Sequence, residues 1–290
     1  MAILDIVVLA LVQGVTEFLP ISSSGHLVLW PLLTGRIDQG VTMDVAVHLG
    51  TLVAVCLYFR ADTARLVTGG LDLARRRRST PDARLARLVA IATVPAVVAG
   101  LALKLSGADT ALRSVEVIGW ATLLGGGALW LADCYGFEHR AEADREGATG
   151  WKTDDAVIMG LAQALALVPG TSRSGICMTA ARALGFRRDE AARLALLMAI
   201  PVILAASLVE TAALLTRDAT APRAEAGGTI AVPTEGTLLA DLALGAGLSF
   251  VAALAALYVM MGMFKSAWTM TPFVLYRLAL GTGLLALAYL

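Results

Sequence analysis

Acidic, hydroxyl and imidazole side chains lie close together near the beginning of the chain. Glu17 is followed by the serine run Ser22–Ser24 and then by His26, in a stretch from Ala2 to Leu33 that is otherwise largely apolar. Ionisable side chains are costly within a bilayer, so those found there usually carry a function. We predict that this group contributes to a reaction or a binding site. The alternative is that Glu17 and His26 are hydrogen-bonded core residues that stabilise a turn.

A second polar group surrounds Arg173, between Pro169 and Gly175. The planar guanidinium of arginine offers a fork of donors that suits bidentate binding of phosphate. This turn is expected to open a half-helix, whose first backbone N–H groups also bind anions. The alternative is a structural ion pair between Arg173 and Glu17, because a buried arginine needs a partner. The residues predicted to surround a phosphate are Ser22, Gly170, Thr171, Ser172, Arg173 and Ser174.

Gln13 precedes Glu17 by one helical turn, so both side chains should face the same side of a helix. Oxygen ligands of this type suit hard cations such as Mg²⁺ or Ca²⁺, which commonly bridge to phosphate oxygens. We therefore predict a divalent cation at Gln13 and Glu17, although polar pairs at this spacing are common in helices. His48 and Arg277 also lie in apolar stretches. For them we expect structural roles, as a satisfied core group and as a buried or snorkelling cation.

The composition indicates that membrane helices carry these groups. The 290 residues are 58% hydrophobic and only 16% charged, whereas soluble domains are about half apolar and about one quarter charged. The net charge of zero gives no indication of a nucleic-acid partner, and the three cysteines lack the spacing of a disulfide or metal site. Apolar segments that reach the roughly 20 residues needed to span a bilayer are Thr42–Phe59, Leu85–Leu103, Val115–Ala132, Ala191–Leu215, Leu238–Met261 and Pro272–Leu290.

Two further apolar segments are interrupted by helix breakers and hydroxyl residues. Residues 2–34 are broken around Pro20 and the serine run, and residues 155–184 are broken by the turn from Pro169 to Gly175. Non-helical backbone at the depth of the bilayer must be buried in protein or line a cavity. We predict that each segment is a re-entrant hairpin, in which a half-helix enters, a polar turn follows and a half-helix leaves.

The two hairpins are related by a constant offset of 150 residues. We predict a single membrane domain, 1–290, made of two repeats, 1–134 with hairpin 2–34 and 153–290 with hairpin 155–184. Each repeat adds three spans to its hairpin, and this odd number inverts the second repeat relative to the first. The predicted fold class is therefore an all-α polytopic membrane protein with an inverted-topology repeat. The offset pairs Leu11 with Leu161, Gln13 with Gln163, Ser22 with Ser172, Ser24 with Ser174 and Gly25 with Gly175.

The charges of the loops agree with this topology. Cytoplasmic loops of membrane proteins are enriched in lysine and arginine, and the run Arg75–Arg78 marks that side. No removable signal peptide is expected, because the first residues lack a basic region and a cleavage site. Small residues at Gly125–Gly127 and Gly245–Gly247 would permit close helix packing, including that of a homodimer. The side predicted to be extracytoplasmic then holds only a few cations, which are Arg36, Lys104, Arg113, Arg217 and Arg223.

Both polar segments resemble the signature motifs of a known family. The stretch QGVTEFLPISSSGHL, Gln13–Leu27, is similar to the first motif of the undecaprenyl-pyrophosphate phosphatases, also called bacitracin-resistance proteins. The stretch PGTSRSG, Pro169–Gly175, is similar to the second. Asp44–Thr51 and Pro272–Arg277 resemble further family segments, so the resemblance extends over the whole chain.

This resemblance implies an integral enzyme of the bacterial plasma membrane that removes one phosphate from undecaprenyl pyrophosphate. Such an enzyme regenerates the lipid carrier of peptidoglycan synthesis and lowers sensitivity to bacitracin. The resemblance also implies a divalent cation, Mg²⁺ or Ca²⁺, and a site open to the extracytoplasmic side. Two positions depart from the usual motifs, Gln13 in place of a glutamate and Cys177 in place of a threonine. The residues that match the family's catalytic residues by position are Glu17, Ser23, His26 and Arg173.

Mechanism and class both stay open at this point. The attacking group is either Ser23, with His26 as proton carrier, or a water activated by Glu17 or His26. Inverted repeats with broken helices are also a transporter architecture, for which the cargo would be a phosphorylated lipid or an anion. A non-catalytic lipid-binding module is a third class. Release of phosphate by the purified protein would distinguish the enzyme from both.

Overall fold

A computed structural model describes residues 3–27, 35, 41–107, 111–136, 150–216, 235–266 and 268–290. Every regular element within these ranges is helical, which confirms the predicted all-α class. The described residues form ten longer helices, a short helical segment at residues 23–27 and a 3-10 turn at Ala111–Arg113. Hairpin residues 28–34 and several loop cations named above, such as Arg36 and Arg217, lie outside the described residues. The longer helices are α1 Ile3–Thr16, α2 Val41–Tyr58, α3 Arg60–Ala74, α4 Pro81–Ser106, α5 Val115–Tyr135, α6 Thr153–Leu165, α7 Arg173–Ala183, α8 Arg188–Thr216, α9 Glu235–Lys265 and α10 Thr271–Tyr289.

The predicted spans correspond to the longest of these helices. Five helices, α4, α5, α8, α9 and α10, are long and apolar enough to cross a membrane, and α2 joins them if its bent continuation is counted with it. Each of the six predicted segments falls within one of these helices to within a residue at either end. The chain is therefore a multi-pass membrane protein.

Helix α3 lies between the first two predicted spans, where the sequence indicates a cytoplasmic loop. It follows α2 at a bend of 96°, so the chain turns sharply where the apolar span ends. Arg193 of α8 donates hydrogen bonds to Asp62 at 2.9 and 2.5 Å, and Arg65 donates one to Asp82 of α4 at 2.9 Å. These ion pairs and close packing at Gly69, where a Cβ would collide with the Asp82 carbonyl, fix α3 against the bundle.

Each predicted hairpin contains a short helix, a polar turn and a second helix. Helix α1 has 14 residues, which is too few for a bilayer core of about 30 Å at about 1.5 Å per residue. Its turn covers residues 17–22, and the equivalent turn between α6 and α7 covers residues 166–172. Ser22 and Ser172, related by the offset of 150, both have left-handed backbones, with φ of 74° and 68°. Their hydroxyls also accept equivalent hydrogen bonds from Gly25 N and Gly175 N, at 3.4 and 3.1 Å.

Helix packing has the pattern that an inverted repeat requires. Helix α1 packs against α9, and its counterpart α6 packs against α4, the counterpart of α9. Helix α2 packs against α9, and their counterparts α8 and α4 are also in contact. Counterparts contact each other as well, α2 with α8 and α5 with α10. These matched contacts are consistent with the predicted repeats.

A buried aspartate joins the ends of several helices away from the turns. Asp133 of α5 accepts hydrogen bonds from Arg182 Nε at 3.2 Å, from Arg188 Nε at 2.7 Å and from the backbone N–H of Met270 at 3.0 Å. Arg182 is almost fully buried and also donates to the carbonyl of Phe186 at 2.7 Å. This cluster connects α5, α7, α8 and the start of α10, so it stabilises the bundle at a distance from the polar turns.

Candidate active site

Glu17 is the centre of the polar cluster, and it lies directly after α1 where the first hairpin turns. It is only 6% exposed. Its Oε2 accepts hydrogen bonds from Gln13 Nε2 at 2.9 Å and from Ser23 Oγ at 2.7 Å. Its Oε1 pairs with the guanidinium of Arg173 from the second hairpin. The predicted common face of Gln13 and Glu17 is confirmed, and the two turns do meet.

Arg173 approaches Glu17 from the first position of α7, so it begins a helix as predicted. One terminal nitrogen bonds Glu17, and the other lies 3.5 Å from the carbonyl of Ala199. The ion pair considered as the structural alternative is thus present. The ion pair does not occupy all of the Arg173 donors, because a guanidinium carries five N–H groups. The side chain is also 16% exposed, so a ligand can reach it.

Ser23 presents its hydroxyl to a carboxylate. Its Oγ donates to Glu17 at 2.7 Å and the side chain is partly exposed, at the first helical residue after the turn. A hydroxyl hydrogen-bonded to a base is the arrangement of an activated nucleophile. Glu17, rather than His26, is therefore the described base that lies within reach of the Ser23 proton.

His26 makes two contacts of its own. Nδ1 lies 2.6 Å from the carbonyl of Ser22, and Nε2 lies 2.5 Å from the hydroxyl of Tyr276 on α10, with the two rings stacked. Because a carbonyl can only accept, Nδ1 must carry a proton, and in the neutral ring Nε2 then accepts from Tyr276. Both ring nitrogens are engaged, and neither is bonded to Ser23 in this arrangement.

His48 of α2 completes the surroundings of Glu17. Its Nε2 lies 3.9 Å from Glu17 Oε2, while Nδ1 lies 2.7 Å from the carbonyl of Asp44 in the preceding turn of the helix. The carbonyl fixes the ring as a donor at Nδ1. From the sequence we expect only a structural role for His48, because nothing in its apolar stretch indicates that it lies near Glu17.

The serines of the two turns mainly order backbone. Ser172 and Ser174 hydroxyls lie 3.2 Å apart, and those of Ser22 and Ser24 lie 3.3 Å apart. Ser174 also donates to the carbonyl of Leu19 at 2.8 Å, which links the second turn to the first. These hydroxyls line the place where the turns meet, and the predicted phosphate contacts would require some of their present bonds to be exchanged.

Gly170 and Thr171 contribute main-chain atoms to the second turn. Gly170 has φ of 95°, and a Cβ there would collide with the carbonyl of Ile118. The carbonyls of both residues accept hydrogen bonds from Arg277, at 3.1 and 2.8 Å. In this arrangement the two residues therefore offer carbonyl acceptors to Arg277, whereas a phosphate would need N–H donors. Their role as phosphate ligands stays a prediction.

The donor set near Glu17 suits a hard cation. Gln13 Oε1 is buried and has no hydrogen-bond partner within the described part of the chain, although its neighbouring Nε2 is bonded to Glu17. An amide oxygen and a carboxylate are ligands that Mg²⁺ and Ca²⁺ accept, and Mg²⁺ commonly takes one or two protein oxygens together with substrate phosphates. No group of three or more His, Cys, Asp or Glu side chains with metal-site geometry occurs among the described residues. Gln13 and Glu17 therefore suit a cation that takes its remaining ligands from a bound phosphate.

The chain is similar to known proteins over nearly its whole length. Residues 6–283 match the family described as bacitracin resistance protein BacA. Proteins named undecaprenyl-diphosphatase are 50% identical in Dinoroseobacter shibae, 47% in Roseobacter denitrificans and 46% in Ruegeria pomeroyi, each over 289 residues that cover 100% of both chains. The similarity thus includes both turns and all of the helices described above.

Proposed function

We propose, because the chain belongs to the family of bacitracin resistance protein BacA, that it hydrolyses undecaprenyl diphosphate to undecaprenyl phosphate and inorganic phosphate. It is a membrane-embedded hydrolase that acts on a phosphoric anhydride bond. The three relatives named undecaprenyl-diphosphatase match it over their whole length. The observation that carries the assignment to a site is the convergence of Ser23, Glu17 and Arg173 from two hairpins. Full-length similarity to named phosphatases disfavours the transporter alternative.

In the proposed first step, Ser23 Oγ attacks the terminal phosphorus of the diphosphate. Glu17 Oε2 takes the hydroxyl proton, for which the 2.7 Å hydrogen bond is already in place. The new bond is Oγ–P, the broken bond joins that phosphorus to the bridging oxygen, and undecaprenyl phosphate leaves with the electron pair. A water then attacks the phosphoserine, the Oγ–P bond breaks, inorganic phosphate leaves with both protons of the water, and Ser23 Oγ takes back the proton held by Glu17. In the competing version a water held by Glu17 attacks directly.

Arg173 has two partners in this scheme. In the free protein it pairs with Glu17, and in the complex it turns its remaining donors towards the non-bridging oxygens of the transferred phosphoryl group. Phosphoryl transfer depends mainly on positioning and on compensation of charge. Movement of the guanidinium towards phosphate weakens its pairing with Glu17, which favours uptake of the Ser23 proton. Substrate binding and activation of the nucleophile are thereby coupled.

A divalent cation would be held by Gln13 Oε1 and Glu17, together with phosphate oxygens of the substrate. When bound, Mg²⁺ or Ca²⁺ supplies compensation for the negative charge of the diphosphate. The orphaned Gln13 oxygen supports this position.

We further propose that the protein resides in the bacterial plasma membrane with this site facing the extracytoplasmic side, where it recycles the lipid carrier of peptidoglycan synthesis and confers bacitracin resistance. The distribution of loop cations supports the orientation. A homodimer stays a prediction. In the structure, Gly125 and Gly126 leave room for Arg277, and Gly245 packs near Met43, so these glycines serve contacts within one chain.

Phosphate release by the purified, detergent-solubilised protein tests the function. Wild-type protein should release phosphate from undecaprenyl diphosphate, lose activity with a chelator and regain it with Mg²⁺ or Ca²⁺. Ser23→Ala should lose most turnover, whereas Ser266→Ala, at the distant end of α9, serves as a matched control and should keep it. A protein that is folded and monodisperse but releases no phosphate would refute the assignment as an enzyme.

A further inference from the structure

Arg277 of α10 contacts both polar turns at once. It is fully buried. One terminal nitrogen donates to the carbonyl of Pro20 at 3.2 Å, and the other donates to the carbonyl of Gly170 at 3.1 Å. Pro20 and Gly170 are separated by 150 residues, which is the offset between the hairpins. A single guanidinium therefore binds the same carbonyl in each copy of the turn.

Arg277 also donates to further main-chain oxygens. Nη2 lies 2.8 Å from the carbonyl of Thr171 and 3.3 Å from that of Ala121, and Nε lies 3.1 Å from that of Thr122. Within the described ranges it has no carboxylate partner. Burial of a cation is costly even when its hydrogen bonds are satisfied. A neutral apolar side chain would fill the same volume without this cost. We therefore attribute the role of Arg277 to the geometry that its guanidinium imposes on the carbonyls.

Glycines on the surrounding elements provide the space for this fork. A Cβ at Gly125 would collide with Nη2 of Arg277, one at Gly126 would lie 3.0 Å from its Cβ, and one at Gly175 would lie 2.7 Å from Nη1. Helix α5 and the start of α7 thus approach Arg277 as closely as their backbones allow. The position is built for an arginine, from two separate parts of the chain.

We propose that Arg277 is a positioning residue that fixes the separation between the two turns, so that Ser23 and Glu17 of the first meet Arg173 of the second on one phosphate. The inference rests on the proposed function. Pro20 is three residues before Ser23, and Thr171 is two residues before Arg173, so each carbonyl bond constrains the backbone beside a reacting group. Two other described links join the turns, the Ser174–Leu19 hydrogen bond, which is a single neutral bond, and the side-chain pair of Glu17 with Arg173.

Lysine cannot replace this residue, because an ammonium is a point charge on a flexible stem and lacks the planar fork. Arg277→Lys and Arg277→Gln should each lower kcat by about 100-fold, the loss expected from a misplacement of about 1 Å, while KM changes by less than about threefold. Guanidinium ion added to Arg277→Ala should restore part of kcat. These changes are measured per folded protein, with the melting temperature recorded for each variant.

Arg182 provides the matched control. It is equally buried and also bonded to main-chain oxygen, but it lies in the Asp133 cluster away from the turns. Arg182→Gln should lower the melting temperature and leave kcat within about threefold of wild type, and guanidinium should not change the kcat of Arg182→Ala. If Arg277→Gln instead behaves like Arg182→Gln, Arg277 is only a packing residue and the proposal is wrong.

A second measurement separates this proposal from the proposed function. Cysteines introduced at Leu19 and Ser174, in a protein whose three natural cysteines are replaced by alanine, report on the approach of the two turns through oxidative crosslinking. Arg277→Gln should slow this crosslinking at least tenfold. Unchanged crosslinking would overturn the positioning role, whatever the activity. Normal crosslinking of the double-cysteine protein with Arg277 intact, together with no phosphate release by wild-type protein, would overturn the proposed function alone.

Discussion

Replacement of Glu17 by glutamine should separate two of the tasks proposed for this residue, that of the base and that of the partner of Arg173. The change removes one negative charge and keeps the size and the hydrogen-bonding capacity of the side chain. In the wild-type protein Oε2 accepts from Ser23 at 2.7 Å, and Oε1 is paired with Arg173. Glu17→Gln can still bond Ser23, but it cannot take the proton and cannot compensate Arg173.

The two losses act on different kinetic constants. General-base catalysis is worth about 10²–10⁴-fold, so kcat should fall by at least about 100-fold, or about 2.7 kcal/mol. Removal of one partner of a buried ion pair leaves the other charge uncompensated, at a cost of about 3–5 kcal/mol. The diphosphate no longer competes with Glu17 for Arg173 and recovers part of that cost. A recovery of about 1.4 kcal/mol would lower KM about tenfold.

The assay is phosphate release from undecaprenyl diphosphate in detergent, with kcat and KM determined separately and melting temperatures recorded with and without inorganic pyrophosphate. Pyrophosphate should raise the melting temperature of Glu17→Gln more than that of wild type. Glu190→Gln, which removes a carboxylate paired with Arg193 at 3.2 Å, is the matched control and should leave kcat unchanged. A kcat within tenfold of wild type would refute Glu17 as the base. A raised KM without stabilisation by pyrophosphate would show that the pair with Arg173 is structural.

Four further changes test other parts of the site. Ser23→Ala should abolish a phosphoserine that can be trapped in wild type during turnover, and near wild-type activity would favour direct attack by water. Tyr276→Phe, which removes the hydroxyl at 2.5 Å from His26, should lower kcat about threefold to tenfold, and no further loss should appear when it is added to His26→Ala. Gln13→Glu should lower the Mg²⁺ concentration for half-maximal activity about tenfold, and an unchanged requirement would contradict the cation position. Gly170→Ala should lower the melting temperature, because its left-handed backbone costs about 1–3 kcal/mol for a residue with a Cβ and that Cβ meets Ile118; a melting temperature equal to that of wild type would contradict the strain.

The helices and the two turns could be predicted from local sequence. Pro20 and Pro169 mark the breaks, apolar runs of sufficient length mark the spans, and the spacing of Gln13 and Glu17 fixes their shared face. These properties depend on residues within one or two helical turns of each other. The offset of 150 then predicted that the turns correspond, and the matched left-handed serines agree with it.

Contacts between distant parts of the chain could not be predicted in this way. The five carbonyl partners of Arg277 come from the first turn, from α5 and from the second turn, and a carbonyl is present at every residue of the sequence. The bond between His26 and Tyr276 joins residues that are 250 positions apart. Helix α3 was missed for a different reason, since its mixture of arginine, aspartate and glycine lacks the apolar length by which spans were recognised.

The position of Arg277 in the last helix has a consequence for biogenesis. It lies 257 residues after Pro20, so a ribosome that has already delivered the first hairpin to the membrane has most of the chain still to make. Until α10 is inserted, the first turn lacks its anchor, and until α7 is inserted, Glu17 lacks Arg173. A nascent chain therefore holds an unfinished polar hairpin that must remain near water or near the insertion machinery. Assembly of the proposed catalytic centre is then the closing event of membrane insertion, and an arrested chain that ends before α10 would be a substrate for quality control.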